Sequence, residues 1–462
     1  MSLSMRISLN ACDFVIFGQH RVWQRGGGGN FPYMIVELEG EIEASAMKAA
    51  LTRALSRHPV LVGGVGMSLF RLRPFWQVGD GREAEAEEAA ARAYQFDDLR
   101  SKADAGAALE EMCEARYGGA WYRSSGPQVR LEHYAMPQGR TRLVLRWPHY
   151  LMDAEGAQLF LASLGDEPPT VAAHTGDKHA VLLPDHQTPR VLKDYSWLKL
   201  IGMIRRGMGA GRALKNGGAQ HEIPDSKARF GGYAVLHRHW DGEVFTQMRA
   251  AAKRLTPGGP AMFSRFLAAA VCRAQQRLHV ERGGRAEAFF ITFPMRVGFS
   301  RPDGRLFERR PLVGNYLVAP TLRVLETETT DRAVLSAEIL RQVEAFLAAS
   351  GDIAQWALLE LAALWHAWFY HLIFKLPLSV NRCSSGFSYY GEIKGHLRTI
   401  GNARVKNIWG GGPTTTPPAW NPVFSKFGEQ LNLSLTYSRP TIGDDLARRY
   451  AELIEDELVN PT

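Results

Sequence analysis

The chain has 462 residues, 45% hydrophobic and 22% charged, with a formal charge of +8. That length and mix exclude a disordered or fibrous chain and leave room for two domains with cores of their own. The positive charge suits an anionic partner such as a phosphorylated cofactor, an acidic carrier protein or an anionic lipid surface; nucleic acid is disfavoured, because no binding motif or dense Lys/Arg tract accompanies the charge.

The N-terminus lacks the charged-then-apolar layout of a signal peptide. Tyr33 to Glu39 alternates apolar and polar residues as a strand does, and Glu43 to Arg57 places Met47, Leu51 and Leu55 on one helical face. His58-Pro59 ends that helix, since the residue before a proline avoids helical angles. Gln128 to Met136 and Thr141 to Trp147 read as two strands around the turn at 137–140, and Ala154 to Leu164 as a short helix. Gly165 to Arg190, rich in Pro, Asp, Thr and His, reads as a loop or linker.

Lys193 to Lys215 is weakly helical, with glycines at 202, 207, 209 and 211 counting against it. Between Arg190 and Lys215 there are seven Lys/Arg and one acid, Asp194. Two readings stand side by side here: a plain connector, and a basic amphipathic segment for a membrane surface or an acidic partner.

The second half repeats the alternation. Tyr233 to Trp240 reads as a strand, Gly242 to Lys253 and Ala261 to Leu278 as helices, and Ala288 to Pro294 and Tyr316 to Arg323 as strands. Thr330 to Ala349 reads as a helix. Ile353 to Leu378 is long enough to cross a bilayer, but Gln355, Glu360, His366, His371 and Lys375 interrupt it, so it reads as one or two buried helices. Leu431 to Tyr437 and Ile442 to Leu458 close the chain as strand and helix.

The expected fold class is α/β in two halves, with residues 1–190 first, a basic connector at 191–230, and 231–462 second. Four cysteines, Cys12, Cys113, Cys272 and Cys383, share no short spacing, which fits a reducing cytoplasm better than a disulfide framework or a zinc site. The glycine runs 26–29 and 410–412 lack the residues of a phosphate cradle and read as flexible loops. His174, His179 and His186 have no metal-site spacing, so no metal is expected.

Acyl transfer from a thioester needs a base near neutral pKa beside the acceptor, and histidine meets that need. It also needs a group to hold the imidazole and a donor for the oxyanion. His149-Tyr-Leu-Met-Asp153 offers a histidine at a strand end with an acid four residues on. With fourteen histidines the spacing alone is weak, and His237-Arg-His-Trp-Asp241-Gly242 matches it too. There, His237 and His239 share one face of a strand, and Asp241 stands where a helix N-cap belongs. Asp153 also precedes a helix, so position alone does not separate the two.

The surrounding segments do. Arg57-His58-Pro59-Val60-Leu61, Pro148-His149-Tyr-Leu-Met-Asp153-Ala154, Val313-Gly314-Asn315-Tyr316 running to Arg323, Asn381-Arg-Cys-Ser-Ser385 and the closing strand and helix follow one another along nearly the whole chain. In this order the sequence resembles the condensation-domain and chloramphenicol-acetyltransferase-like superfamily of acyltransferases. That group includes bacterial wax-ester synthase/diacylglycerol acyltransferases and stand-alone condensation domains.

The resemblance implies two acetyltransferase-like halves with a tunnel between them, and His149 as the base at its middle. It implies a structural Asp153, paired with an arginine for which Arg296 is the candidate. Asn381, Ser384 and Ser385 are carried over as substrate-side residues, the serines as oxyanion donor or turn. Pro148 replaces the first histidine of the H-H-x-x-x-D-G pattern, and Ala154 its glycine.

The implied reaction is direct transfer from acyl-coenzyme A to a hydroxyl, with no bound cofactor. One alternative is a condensation enzyme fed by an acyl carrier protein and forming an amide or ester; another is a silent scaffold of the same fold. The partners expected are a thioester donor and a small-molecule or lipid alcohol or amine. The expected location is cytoplasmic, with peripheral membrane contact.

Overall fold

A computed structural model describes residues 5–24, 30–67, 74–78, 83–117, 126–165, 195–215, 232–259, 261–284, 288–296, 313–363, 384–393, 397–414, 419–439 and 441–461. Two main sheets organise the described residues. The larger has six strands in the order Thr399–Ile400, Ala403–Gly411, Tyr33–Glu39, Arg140–Arg146, Arg130–Met136 and Tyr94–Asp98. Its last pair is parallel and the other pairs are antiparallel.

The period-2 pattern of Tyr33–Glu39 explains its double burial. Met34, Val36 and Leu38 face Met47, Leu51 and Leu55 of the helix Ala44–Arg57, while Tyr33 and Ile35 face Tyr134, Val144 and Trp409. The helix stops at His58, and Pro59–Leu61 continues as a single 3-10 turn.

The smaller sheet runs Ser388–Glu392, Trp420–Phe427, Gln430–Ser438, Tyr233–Trp240, its first pair parallel. Helices Gly242–Leu255, Met262–Glu281, Arg332–Ala348 and Asp444–Val459 cover it around a second core that includes Phe266, Leu433 and Tyr450.

The strand Ala403–Gly411 lies late in the chain yet pairs with Tyr33–Glu39 in the first sheet. The two sheets therefore share material from the second half. They are tied where Asn407 Nδ2 donates to Asn432 Oδ1 at 2.9 Å and Asn432 Nδ2 returns a bond to Asn407 Oδ1 at 3.1 Å.

Two expectations change, and a third, the weakly helical reading of 193–215, is sharpened. The glycines at 410 and 411 are strand residues, where a Cβ would stand 2.6 Å from the Tyr33 carbonyl and 2.4 Å from its hydroxyl, so the backbone needs glycine for close approach. The strand Tyr316 to Arg323 is two strands, Leu317–Val318 and Thr321–Leu325, broken at Ala319-Pro320, where proline offers no ladder N–H. The segment 197–215 is an α-helix despite its glycines, because Leu200 and Met203 pack on Ile353, Ala354 and Ala357. Residues 166–194 and 364–383, where a linker and a second buried helix were expected, lie outside the described residues.

Candidate functional site

The strand Arg140–Arg146 delivers the chain into the loop 147–153, and the helix Ala154–Ala162 carries it away. Pro148 has no N–H to extend the ladder, so the strand yields to a turn in which Leu151 N donates to the Pro148 carbonyl at 2.8 Å. His149 N donates to the Asn30 carbonyl at 2.8 Å, and Trp147 Nε1 to the Met152 carbonyl at 2.8 Å. Asp153 is the helix N-cap: its Oδ1 accepts from Glu155 N and Gly156 N, both at 3.1 Å.

The second half grips this loop. Gly314 N donates to the Leu151 carbonyl at 2.7 Å, and Gly314 bridges Met152 in parallel fashion. Gly314 has φ +116°, and a Cβ there would meet the Tyr316 ring at 3.2 Å and Asn10 Nδ2 at 3.3 Å. Asn315 Nδ2 donates to the His149 carbonyl at 2.8 Å. Asn315 N and Nδ2 both donate to Asp13 Oδ1 at 2.8 Å. The carbonyls of His149, Leu151 and Met152 thus each have a donor, in a loop without regular structure.

His149 and Asp153 line a cavity of about 780 Å³. Its wall takes Gln19 and Trp147 from the first half, and Phe293, Leu317, Tyr390 and Asn421 from the second. Most of the wall is apolar, and among the described lining residues the charged side chains are the acids Asp153 and Glu155, with no lysine or arginine. That electrostatic setting suits a neutral acyl chain and acceptor.

His149 is partly exposed, with Nδ1 as its buried ring nitrogen. Burial holds its pKa below the ordinary histidine value, against its own carbonyl, Asp153, the Asn315 side chain and the Met152 backbone, which all favour the cation. The imidazole is therefore neutral at pH 7, the state in which it can accept a proton. Tyr390 is raised above the ordinary phenol value by burial and by Asp153, so it stays protonated.

No family description matches the sequence, and no curated protein matches it. Solved structures do. A trichothecene 15-O-acetyltransferase from Fusarium sporotrichioides is 12% identical, with TM-score 0.72 over 98% of this chain and 95% of that one. The first condensation domain of the calcium-dependent antibiotic synthetase, in complex with a substrate analogue, is 14% identical, with TM-score 0.70 over 100% and 98%. Polyketide synthase associated protein 5 from Mycobacterium tuberculosis is 16% identical, with TM-score 0.63 over 99% and 98%. The chain has the condensation-domain and chloramphenicol-acetyltransferase-like fold.

Within this condensation-domain-like fold, the other residues singled out by sequence fall in different places. Ser384 and Ser385 are buried beside the strand Ala288–Thr292. Ser384 Oγ accepts from Phe290 N at 3.1 Å and Ser385 Oγ donates to the Gly386 carbonyl at 2.7 Å. The cavity wall begins at the next residue, Gly386. Arg296 lies in the strand Met295–Arg296, next to the lining residue Met295. Asn381 is outside the described residues, as are His174, His179, His186, His366 and His371.

His237 does not line the cavity. It sits between the sheets, with Nδ1 3.0 Å from Ser434 Oγ, and burial, His239 and Arg142 lower its pKa to about 3. Asp241 holds the N-cap position of its helix without a side-chain cap bond, so its place as a cap is positional only. A third match to the spacing, His221 to Asp225, falls outside the described residues.

Two residues at or behind the site were not singled out from sequence, Asp13 and Tyr390. The Asn10-x-x-Asp13 spacing, with Asn10 Oδ1 accepting from Asp13 N at 2.8 Å, is a helix-start signal that marks Asp13 as first-turn but says nothing of its distant partner. Among the described residues no group of histidine, cysteine and acidic side chains can hold a metal ion. Among them also no helix is long and apolar enough to cross a membrane.

Proposed function

We propose that this chain is an acyltransferase in which His149 is the general base for direct attack of an acceptor on an acyl thioester. The observation that carries the reading is the placement of a neutral, partly exposed histidine on a pinned loop, at the wall of a cavity built from both halves of the chain. The solved structures of similar fold, an acetyltransferase and condensation domains, support it.

In the proposed step, the acceptor's oxygen attacks the thioester carbonyl while its proton passes to the imidazole. The tetrahedral oxyanion collapses and expels the thiolate, which takes that proton from the imidazolium. The C–O bond forms, the C–S bond breaks, and the enzyme returns to its starting state without an acyl-enzyme. Tyr390, a protonated hydroxyl on the wall, is the proposed oxyanion donor. Asp153 shapes the loop as a cap and carries no proton.

Acyl-coenzyme A is the proposed donor and a hydroxyl the proposed acceptor. With no cationic side chain on the described wall, a pantetheine arm would reach in while its phosphates stay outside. The second reading, a donor loaded on a separate carrier protein with an ester or amide product, draws on the likeness to the antibiotic-synthetase condensation domain over the full chain. Exposed Trp197 and Leu198 beside Lys199 support peripheral contact with a lipid surface.

The deciding experiment supplies free acyl-coenzyme A with an alcohol panel in parallel with an acyl-loaded carrier protein. Turnover with the first, lost in His149→Ala, supports the leading reading. Turnover only with the second favours the carrier route. Activity that survives His149→Ala refutes both.

A further inference from the structure

Asn30 stands directly opposite His149. The register that pairs Tyr33 with Arg146 runs on past the strand ends: Trp147 N donates to the Pro32 carbonyl at 3.4 Å, and His149 N to the Asn30 carbonyl at 2.8 Å. Residues opposed in this way project to the same face, with Cβ atoms about 5 Å apart. Both residues line the cavity. The Asn30 backbone is held from behind as well, where its N donates to Nδ1 of the buried His20 at 3.2 Å.

The Asn30 side chain has no such partners. It is only 3% exposed, yet its Oδ1 is buried without a hydrogen bond, and its Nδ2 makes none among the described residues. A buried amide left unpaired destabilises the fold, and each such group calls for an explanation. With the oxygen turned into the protein, the NH₂ is the end that meets the cavity. The chemistry needs a donor there. A tetrahedral oxyanion must be met by N–H or O–H groups or by cations, and the charged side chains on the described wall are the acids Asp153 and Glu155. Of the other amides on that wall, Asn421 commits its Nδ2 to the Pro413 carbonyl at 3.0 Å, and Gln19 lies on the helix Ala11–Gln24 rather than opposite His149.

We propose that Asn30 is a catalytic residue: its Nδ2 donates to the carbonyl oxygen of the bound thioester, and most strongly to the oxyanion that forms there beside His149. When the acceptor's oxygen adds to the thioester carbon, the C=O π pair moves onto the oxygen that Asn30 holds. When the thiolate leaves, that pair returns and the carbonyl is restored. Asn30 gains and loses no proton, and it serves as a second oxyanion donor alongside Tyr390. Its backbone, fixed on both sides, sets the amide in place before the charge develops. The inference rests on the proposed acyl transfer, but a bound thioester reports the contact without turnover.

The test takes the full chain carrying His149→Ala, which stops turnover, as the parent. Acyl groups from acetyl to palmitoyl, labelled with ¹³C at the thioester carbonyl, are supplied on coenzyme A in one arm and on an acyl carrier protein in the other. Infrared difference spectra should show the labelled carbonyl band moving to lower frequency on binding. Adding Asn30→Ala, or Asn30→Leu as a variant of similar shape, should return the band toward that of the free thioester. Both variants should melt at or above the parent's temperature, because removing the amide breaks no side-chain bond in the empty protein. With His149 intact and the donor that turns over, Asn30→Ala should lower kcat about 10²- to 10³-fold, with KM changing by less than about threefold.

A band unmoved on binding, or moved equally in the parent and the variants, overturns the role of Asn30 and leaves acyl transfer standing. Variants that melt well below the parent mark the amide as structural and overturn it too. A thioester that binds in neither arm overturns the acyl-transfer reading, and this inference with it.

Discussion

Asn315 Nδ2 lies 2.8 Å from the carbonyl of His149, a residue 166 positions away in the chain. The bond joins the loop after the strand Arg140–Arg146 to the segment just before Leu317–Val318, so the two halves meet at the motif histidine itself. The cavity forms where they meet, which is why its wall draws on both. Binding in such a crevice can exclude water from the reacting atoms.

Removing the base should cut turnover sharply without unfolding the protein. His149→Ala is expected to lower kcat/KM by about 10²- to 10⁴-fold, the usual contribution of a general base. His237→Ala should keep most activity and lower the melting temperature, because His237 packs near Tyr33 and Trp409 between the sheets. Steady-state rates and thermal melts on the two variants check this; the reverse pattern would transfer the assignment to His237.

The pH profile follows from burial. The pKa of His149 is below its ordinary value, so the neutral base persists through pH 7 and is lost only as pH falls through that lowered pKa. The acid limb of log kcat/KM should therefore lie below about pH 6.5. A limb above that value would count against His149. Stability has the same sign: His237, lowered to about 3, resists protonation only in the folded state. Its contribution is complete above the unfolded pKa, near 6.5, and is lost as pH falls toward 3. Melting temperature against pH should thus fall less steeply for His237→Phe than for the wild type.

Asp153 can be tested as a cap. Asparagine caps about as well as aspartate, so Asp153→Asn should melt within about 0.5 kcal/mol of the wild type, whereas Asp153→Ala should cost about 1 kcal/mol. Equal losses in chemical denaturation would show that the charge of Asp153, rather than its two accepted N–H bonds, holds the loop.

Gly314→Ala probes the grip from the other side. It places a side chain at φ +116°, with its Cβ 3.2 Å from the Tyr316 ring. The strain should cost about 1–3 kcal/mol, and displacement of the bridge to Met152 should lower activity as well. A variant as stable as the wild type would mean that the backbone there relaxes freely.

Much of the frame was legible because it is written in local periods. Tyr33–Glu39 and Tyr233–Trp240 have the bounds that alternation predicts, and the helix Ala44–Arg57 begins one residue inside its predicted start. The helices Glu83–Ala93 and Ala105–Tyr117 were missed: alanine alone supplies the buried face of the first and makes a weak apolar signal, and the second buries only Ala105, Leu109 and Tyr117 along its length. Trp420–Phe427 hid behind Pro422. That residue pairs with Leu435 on one side and lies beyond the partner strand on the other, whose first residue, Ser388, stands opposite Val423, so its missing N–H costs no ladder bond. The motif loop could be pointed to, but its bond to Asn315 spans 166 residues and the bond from Asn315 to Asp13 spans 302, and no local pattern encodes them.

The outer face of the helix Trp197–Lys215 yields the last expectation. Leu200 and Met203 are spent on Ile353, Ala354 and Ala357, which turns Trp197, Leu198 and Ile201 outward at 71%, 84% and 43% exposure. Lys199, Arg205 and Arg206 are exposed on the same helix, and 195–215 contains no acid. Apolar side chains that enter a bilayer interface beside cations that meet lipid phosphates give binding that depends on both terms. The protein should therefore co-sediment with vesicles containing phosphatidylglycerol more than with pure phosphatidylcholine, and added salt should weaken the difference. Trp197→Ser with Leu198→Ser should reduce the association constant by about tenfold or more, since each large apolar side chain contributes about 1.5–3 kcal/mol when fully buried. Equal binding to both vesicle types, or binding that the double variant leaves intact, would remove the lipid surface from the reading and return this helix to the role of a connector.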